Sequence, residues 1–378
     1  MAPAVIDVLG DDLLREILLR LTSPEALVRA ALALRSFLRA ARDAAFLRRF
    51  RARHPSEPRL LLGFLFVLPD GSPPVYLSAA SASSELHPMA DFSLSYLPGR
   101  EWDLLDCRDG LLLLRNHATM ELAVVDPSRR AYCPVKFPTA AAADLPVAYG
   151  LAAGKGNSSS AFRVVCIARD SSSSSSTLRA LVFSSEEFYW EDSGDAVACA
   201  TSVWPMMKPM KANGSLFWRL DDGKRMAEFD ATPGRKTMSL SILDLPPIPA
   251  ELAFGFIDTD DGDGLRLLTM REFRLETWKF AGGDGMTSSS WTLEDTSVRL
   301  YRALEEMLGE RKLSCRRDEF EIVGVVDGIV FFLQSGILLS IDLNTMKLHM
   351  LSEQDCSPAR IFAITRAWPP PFLRPSED

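Results

Sequence analysis

Apolar and polar residues alternate at helical spacing near the beginning of the chain. Apolar side chains recur three and four residues apart after Gly10, at Leu13, Leu14, Ile17, Leu18 and Leu21. This period predicts an amphipathic helix with one apolar stripe. Asp11 and Asp12 can cap this helix and favour the positive end of its dipole. The cap and turn residues of 22–25 predict where it ends.

Three more short helices are predicted before residue 58. Pro24 is tolerated in the first turn of the second helix, where its missing N–H costs nothing, and the apolar residues of Leu27–Leu34 follow it. Phe37 belongs to a short third helix, and Asp43 can cap a fourth. Two prolines within 54–58 disfavour any continuation of that last helix.

This helical segment has more apolar side chains than it can bury by itself. About 50 residues are too few to bury so much leucine, phenylalanine and isoleucine among themselves. Two explanations stay open on periodicity alone. The surplus surface packs on the rest of the chain, or it docks a partner protein.

From Leu60 onward the pattern changes to short apolar runs separated by turns, which predicts strands. Three segments share one layout, in which a turn dipeptide leads into a buried-type strand and a second strand ends in aspartate. The dipeptides are Asp109-Gly110, Asn213-Gly214 and Asp327-Gly328, and the aspartates are Asp126, Asp230 and Asp342. The three glycines lie 104 and 114 residues apart, a spacing that fits two blades of a β-propeller.

Units of a second pattern lie between these segments, since 162–190 resembles 265–291. With a first strand at Leu60–Val67 there are six units, and Ile361–Ile364 is placed to pair beside that strand and close a ring. We therefore expect a small all-α segment, residues 1–58, followed by an all-β domain, residues 59–378, that is a six-bladed β-propeller. A pair of β-sandwiches is the alternative. Helical spacing within 298–312 predicts a short helix between the fifth and sixth units.

Composition places the chain among ordinary globular proteins. Its 378 residues are 47% hydrophobic and 24% charged, with a mean hydropathy of +0.04. The longest apolar run, Leu60–Leu68, has nine residues, whereas a membrane helix needs about 20. The first ten residues lack the basic start and apolar centre of a secretory signal, so we expect a cytoplasmic or nuclear protein. Its six cysteines include no CxxC pair, which favours reduced thiols over disulfides or zinc.

The balance of charge changes near residue 58. Residues 1–58 contain ten Arg and no Lys against seven Asp and Glu, a net charge of +3, while the remainder carries a net charge of −11. The arginines are interleaved with leucines and acidic residues, which is typical of a solvated helix face. Because an acidic body also repels phosphate backbones, neither nucleic acid nor a membrane is an expected partner.

Residue patterns for catalysis or metal binding are sparse. The four histidines, at 54, 87, 117 and 349, have no second ligand-type residue at metal spacing. The acidic stretch 258–264 resembles a calcium loop at first sight. However, Gly262 and Asp263 stand in the reverse order, and Thr269 stands where the bidentate glutamate belongs. We therefore expect no cofactor, no metal and no enzymatic activity.

The order of residues in the helical segment resembles a known motif. The matching stretches are Leu9–Leu21, Ser23-Pro24, Leu27–Leu32, Arg35–Phe37 and Phe46–Phe50. Together they resemble the F-box, most closely that of plant F-box proteins. Gly10, Leu34 and Phe37 depart from the usual pattern, because they stand where proline, cysteine and tryptophan are common. The whole chain resembles plant F-box proteins with an associated propeller-like domain.

The resemblance implies that the helical segment binds the Skp-family adaptor of a cullin-based ubiquitin ligase of the SCF type, with a helix in a groove. It also implies that the propeller binds a protein target of unknown identity, so that the chain is a non-catalytic receptor subunit. The positions that match the motif are expected in the adaptor contact or in the small core beneath it. They are Leu9, Asp11, Leu13, Leu14, Ile17, Leu18, Leu21, Leu27, Ala31 and Phe37.

A second hypothesis is a propeller enzyme that acts on a small molecule and has an incidental helical N-terminus, because propellers host hydrolases and oxidases. The lack of histidine, metal and phosphate-binding motifs weighs against it. For a protein target, the sequence indicates only the loops of one propeller face, with aromatic residues such as Trp190, Trp204 or Trp218. Each of these is more typical of a core than of a ligand contact.

Overall fold

A computed structural model of the protein describes most of the chain. The described residues are 10–21, 24–53, 59–69, 72, 74–78, 91–99, 101–136, 144–154, 161–170, 177–199, 201, 203, 207–232, 238–249, 252–257, 259, 264–271, 273–281, 290–294, 298–308, 320–326, 328–334, 336–343, 345–353, 360–367, 369 and 373. Three serine-rich segments of the sequence, 157–160, 171–176 and 287–289, lie outside them.

Four short helices open the described chain, as the apolar period predicts. They are α1 (Asp11–Leu18), α2 (Pro24–Ala33), α3 (Arg35–Ala41) and α4 (Ala44–Arg53). Asp43 caps α4, because its Oδ1 accepts the backbone N–H of Phe46 at 2.7 Å. The cap of α1 differs from the prediction. Gly10 is its N-cap residue and makes no side-chain bond, while Asp11 and Asp12 lie in the first turn, where their charge favours the helix dipole.

The described strands form six antiparallel sheets, which we call blades I to VI. Blade I contains β1 (Arg59–Val67), β2 (Val75–Ser78) and β24 (Arg360–Ala367); blade II contains β3 (Trp102–Arg108), β4 (Leu111–Asn116), β5 (Leu122–Asp126) and β6 (Ala131–Val135); blade III contains β7 (Asp144–Ala153), β8 (Phe162–Asp170), β9 (Thr177–Ser184) and β10 (Tyr189–Ala198).

The other three blades follow in chain order. Blade IV contains β11 (Met210–Ala212), β12 (Ser215–Arg219), β13 (Arg225–Asp230) and β14 (Ser239–Asp244); blade V contains β15 (Ala253–Ile257), β16 (Arg266–Arg271), β17 (Arg274–Ala281), β18 (Ser290–Leu293) and β19 (Val298–Arg299), the last paired with β17; blade VI contains β20 (Phe320–Val326), β21 (Ile329–Gln334), β22 (Ile337–Asp342) and β23 (Leu348–Glu353).

The last strand of the chain closes the ring. β24 pairs with β1 in antiparallel register, with Ile361 opposite Phe66. β24 also contacts β3 on one side and β20 on the other, as the innermost strand of blade I. The fold is therefore a six-bladed β-propeller, as predicted, and the alternative of two β-sandwiches is wrong. Closure leaves no blade at a free end of the ring.

The repeated turns have the conformation that their sequence predicts. Asp109 and Gly110 have φ values of 49° and 80°, and Asn213 and Gly214 have values of 50° and 83°. Two consecutive positive φ angles are typical of a type I′ hairpin turn, which Asp-Gly and Asn-Gly tolerate. These turns join the first and second strands of blades II and IV. The glycine of the third dipeptide, Gly328, has a φ of 77° at the same place in blade VI.

The aspartates that complete the repeat share one structural role. Asp126, Asp230 and Asp342 each end the third strand of their blade. The Oδ1 atom of each accepts a backbone N–H two or three residues further along, at 3.0, 2.9 and 3.2 Å. A carboxylate in this position stabilises the following turn by mimicking a backbone turn, which explains why the residue recurs.

The helix predicted within 298–312 is α5 (Tyr301–Leu308), between blades V and VI. Its Leu304 is fully buried and packs in one apolar cluster with Phe273 of blade V and Phe320 of blade VI. The helix therefore fills the junction of two blades.

A shared core joins the N-terminal helices to the propeller. Leu14 of α1 and Phe46 of α4 belong to the same apolar cluster as Leu104 of β3 and Phe362 of β24. Part of the surplus apolar surface of the helical segment is thus covered by blades I and II. None of the described helices combines the length and the apolar character that crossing a bilayer requires.

Candidate functional site

The apolar stripe of α1 is wider than the surface that covers it. Leu14 and Leu18 are buried, at 0% and 1% exposure, on the side that faces the other helices. Leu13 and Ile17 lie one turn apart at the other edge of the stripe and are 58% and 42% exposed. We call Leu13 and Ile17 the α1 ridge. These two large side chains stand in solvent although α1 lies on a buried core.

Ion pairs join α1 to two other helices. Asp11 accepts a bond from Arg39 of α3 at 2.7 Å, and Glu16 accepts one from Arg49 of α4 at 2.9 Å. The hydrogen bond from Arg39 lowers the pKa of Asp11 below its usual value. All four side chains are exposed, so each pair contributes little to stability. Both pairs lie between α1 and the helices that it packs on.

The structure distributes the remaining motif positions between core and surface. Leu27 and Ala31 of α2 are buried, while Leu21 and Phe37 are half-buried. Leu27 and Ala31 share their cluster with Leu14 and Leu18, and Leu21 and Phe37 pack against it. Leu9 lies outside the described residues. Most of the motif residues therefore build a small core, and Leu13 and Ile17 are the apolar members that are largely exposed.

The second candidate site is a cavity of about 550 Å³ between the innermost strands of five blades. β3, β11, β15, β20 and β24 line it. We call it the central channel. No sequence pattern predicts it, because its lining comes from segments spread between positions 106 and 365. One local signal points to it. Lys208 and Lys211 flank the apolar pair Pro209-Met210, and the short strand β11 begins at Met210.

One buried carboxylate connects three blades at the channel wall. Asp106 of blade II is 2% exposed. Its Oδ1 accepts a bond from Nζ of Lys211 in blade IV at 2.8 Å, and its Oδ2 accepts the backbone N–H of Leu151 in blade III at 2.7 Å. Lys211 also donates to the carbonyl of Cys107 at 2.6 Å. A buried charge persists when it is paired and hydrogen-bonded in this way.

A second lysine spans the channel. Nζ of Lys208 donates to the carbonyls of Val323 in blade VI and Ile361 in blade I, at 2.6 and 2.9 Å. It also lies 5.4 Å from the ring centroid of Phe362, within the range of a cation–π contact. Burial lowers the pKa of Lys208 from its ordinary value, and neighbouring acidic groups oppose that shift. The ammonium satisfies carbonyls that the innermost strands would otherwise present unpaired.

Other charged groups complete the wall. Arg219 lies 5.1 Å from the ring centroid of Phe254, and Arg360 lies 6.0 Å from that of Phe362. Glu321 projects into the channel and is exposed to solvent there. Desolvation by the surrounding protein raises the pKa of Glu321, while Lys208 partly lowers it.

The one thiol that lines the channel among the described residues is not activated. Sγ of Cys107 donates to the carbonyl of Ala363 at 3.2 Å, and burial raises its pKa to about 12. A thiol in this state is a poor nucleophile. Cys133, Cys166 and Cys199 are also free thiols. Among the described residues, no three His, Cys, Asp or Glu side chains are grouped so that they could hold a metal ion.

Two of the tryptophans considered for target contacts, Trp190 and Trp218, stabilise the propeller itself. Trp218 is fully buried, and its Nε1 donates to the carbonyl of Tyr149 at 3.3 Å. Trp190 is half-buried, and its Nε1 donates to the carbonyl of Lys136 in the neighbouring blade at 2.7 Å. Trp204 lies outside the described residues. Trp218 is thus a core residue, and Trp190 joins blades II and III.

Comparison with protein families gives one match to the propeller. Residues 103–372 match the family model described as "F-box protein AT5G49610-like, beta-propeller". The matched region begins within β3 and runs beyond β24, so it covers most of the chain. A comparison with curated protein sequences gives no match.

Comparison with solved structures finds other chains at low identity. The nidogen/laminin complex matches with 9% identity over 80% of this chain and 98% of the other, at a TM-score of 0.41. The Aleuria aurantia lectin with α-methyl-L-fucoside matches with 13% identity over 68% and 79%, at 0.35. The GH93 α-L-arabinofuranosidase of Fusarium graminearum with arabinobiose matches with 10% identity over 80% and 88%, at 0.32. At these scores the three structures bear on neither the ligand nor the chemistry of this chain.

Proposed function

This chain belongs to the F-box protein AT5G49610-like β-propeller family, and from that premise we propose that it is the substrate-recruiting subunit of a cullin-based ubiquitin ligase of the SCF type. The N-terminal helices bind a Skp-family adaptor, and through it a cullin. The propeller binds the protein target. Ubiquitin transfer takes place on other subunits, so that this chain is a receptor and not an enzyme.

The observation that carries the proposal is the exposed α1 ridge in a chain of this family. Leu13 and Ile17 stand out from a helix whose other apolar edge, Leu14 and Leu18, is buried. Two large apolar residues one turn apart on a helix are suited to insertion into an apolar groove. A few such buried residues supply most of the binding energy in contacts of this kind.

The surroundings of the ridge support the same role. Leu14 and Leu18 anchor α1 in the buried core, and the pairs Asp11–Arg39 and Glu16–Arg49 join it to α3 and α4, so little order has to be imposed when a partner binds. A pre-organised ridge binds more tightly than a flexible one, because less conformational entropy is lost on binding.

A shared apolar core between the helices and the propeller supports this receptor role. The core that Leu14 and Phe46 share with Leu104 and Phe362 joins adaptor-binding helices to target-binding blades. A target bound to the propeller is therefore brought close to the adaptor. Proximity of this kind raises the effective concentration of the target near the transferring enzyme. We propose that the protein acts in the cytoplasm, the nucleus or both.

The experiment that tests the proposal is reconstitution of the complex. The full chain is mixed with a purified Skp-family adaptor and a cullin, and the mixture is separated by size with light-scattering detection. A complex with one copy of each subunit is expected. Separate elution of this chain from an adaptor that binds other receptors under the same conditions would overturn the proposal.

A further inference from the structure

We propose that the central channel binds a small organic anion, a molecule with a carboxylate or phosphate group on an apolar body. The observation that carries this is a reversal of charge. Residues 59–378 have a net charge of −11, yet the described side chains that line the channel are mainly basic. They are the cations Arg108, Lys208, Lys211, Arg219 and Arg360 and the anions Asp106 and Glu321.

Two of the lining cations have a carboxylate at ion-pair distance. Arg108 pairs with Asp109 at 3.2 Å, and Lys211 pairs with Asp106 at 2.8 Å. Lys208 lies beyond ion-pair distance of the described carboxylates, since its hydrogen bonds go to two carbonyls. Glu321 and Asp106 act on its charge from a longer distance, and the ring of Phe362 lies beside it. A bound anion would add a direct ion pair to Lys208.

Both lysines keep one donor for a ligand. Each ammonium has three N–H groups. Lys211 uses two on Asp106 and the carbonyl of Cys107, and Lys208 uses two on the carbonyls of Val323 and Ile361. Among the described residues the third N–H of each has no partner, and both lysines line the same cavity. The bonds already made hold each ammonium in position, which lowers the entropy lost when a ligand binds.

The rest of the wall fits an apolar body. Phe254, Phe256, Ile322, Val325 and Phe362 line the channel beside the cations. A volume of about 550 Å³ lies within the range of small-molecule sites, which are mostly apolar with a few convergent polar groups. The channel thus combines charge for an anionic head and apolar surface for the body that carries it. Occupation of this site does not require the adaptor.

Gly324 provides a sharp test. It lies on β20 in the channel wall, and a Cβ atom added there would have no protein atom within 4 Å. A larger side chain at this position can therefore extend into the open channel without displacing its neighbours. Gly324→Glu introduces an anion, Gly324→Gln introduces the same shape without charge, and Gly324→Lys introduces a cation.

The measurement is calorimetric binding to the full chain with phenyl phosphate as the probe, and with benzoate, inorganic phosphate and benzyl alcohol for comparison. We expect phenyl phosphate to bind at least tenfold more tightly than benzyl alcohol, which has a similar body without charge. We also expect it to bind more tightly than inorganic phosphate, which has no apolar body. Preference for phenyl phosphate or for benzoate then identifies the head group.

The variants distinguish the channel from the surface. Gly324→Glu is expected to weaken binding of phenyl phosphate at least tenfold, Gly324→Gln to leave it within about twofold, and Gly324→Lys to tighten it. Met350→Glu adds the same charge at a half-exposed position on the outermost strand of the same blade and should change nothing. Equal affinity for charged and neutral probes, or an unchanged affinity in Gly324→Glu, would overturn the proposal.

Discussion

The carboxylate of Asp106 lies 2.8 Å from the ammonium of Lys211, although the two residues belong to blades that are not neighbours in the ring. Blade III stands between them, and the backbone N–H of its Leu151 donates to the same carboxylate. One buried carboxylate therefore fixes the relative positions of three blades. Adjacent blades otherwise meet mainly through apolar packing, which is less directional than a charged hydrogen bond.

Lys211→Met is expected to destabilise the protein. The substitution leaves Asp106 buried without its counter-ion, and removing one partner of a buried pair costs about 3–5 kcal/mol. We expect a loss of about 3 kcal/mol, at the lower end of that range, because Lys211 keeps some solvent contact. Urea denaturation measures the change. The double variant Asp106→Asn/Lys211→Met should recover part of the loss. A loss below about 1 kcal/mol in Lys211→Met would contradict a buried pair, because exposed surface pairs contribute that little.

Gly150→Ala is expected to strain the junction of blades III and IV. An added Cβ would lie 2.9 Å from Cζ2 of Trp218 and 3.0 Å from Cγ of Pro209. Overpacking of this kind costs about 1–3 kcal/mol. Gly324→Ala is the matched control, because its Cβ would meet no atom within 4 Å. That control should be neutral or stabilise by about 0.5–1 kcal/mol. Equal effects of the two alanines in thermal unfolding would contradict the close approach at Gly150.

Glu321→Gln is expected to change the pH dependence of stability. Desolvation holds the pKa of Glu321 above its ordinary value of 4.5 in the folded protein, so the folded state binds the proton more tightly than the unfolded state does. The resulting stabilisation is present below pH 4.5 and is lost as pH rises through the folded pKa. Glutamine does not titrate.

The free energy of unfolding of Glu321→Gln relative to wild type should therefore increase between about pH 4 and pH 7. Since Glu321 is exposed to water in the channel, the gain is expected to be small. Denaturation curves at a series of pH values measure it. A difference that stays constant with pH, or that decreases, is inconsistent with a raised pKa. Glu321→Asp, which keeps a titrating carboxyl, is the control.

Trp190→Phe and Trp291→Phe are expected to have similar effects, because the two residues occupy equivalent places in blades III and V. Trp190 donates to the carbonyl of Lys136 and Trp291 to that of Asp244, both at 2.7 Å and both in the preceding blade. Loss of one such bond costs about 1 kcal/mol. Chemical denaturation of both variants checks this, and a difference of more than about 1 kcal/mol between them would show that the equivalence does not extend to energetics.

The propeller was predictable because its repeat is a matter of local chemistry. Asp109-Gly110 and Asn213-Gly214 specify tight turns through φ angles that few residue types tolerate, and Asp126, Asp230 and Asp342 stabilise the turns after their strands. Such signals act over a few residues, so they can be read along the chain. The closing pair of β1 and β24 follows from the count of units.

The two candidate sites were less predictable, because tertiary packing determines them. Spacing groups Leu13, Leu14, Ile17 and Leu18 in one stripe, and it cannot say which edge the other helices cover. Leu14→Asp would therefore place a charge in the core and unfold the segment instead of testing a contact. The channel brings Asp106 of blade II to Lys211 of blade IV, a relationship between distant positions that no local pattern contains.

The central claim is that the α1 ridge binds the adaptor, and the affinity of the full chain for a purified Skp-family adaptor tests it most directly. Leu13→Asp/Ile17→Asp changes only exposed positions, so the melting temperature should stay close to that of wild type. The control is Leu293→Asp/Met350→Asp, which adds the same charge at positions that are 51% and 50% exposed on outer strands of the propeller.

We predict that Leu13→Asp/Ile17→Asp weakens adaptor binding at least about a hundredfold, because charge at two central apolar contacts removes two hot spots. The control should bind like wild type. Wild-type affinity in the Leu13→Asp/Ile17→Asp variant, with its fold intact, would contradict the account.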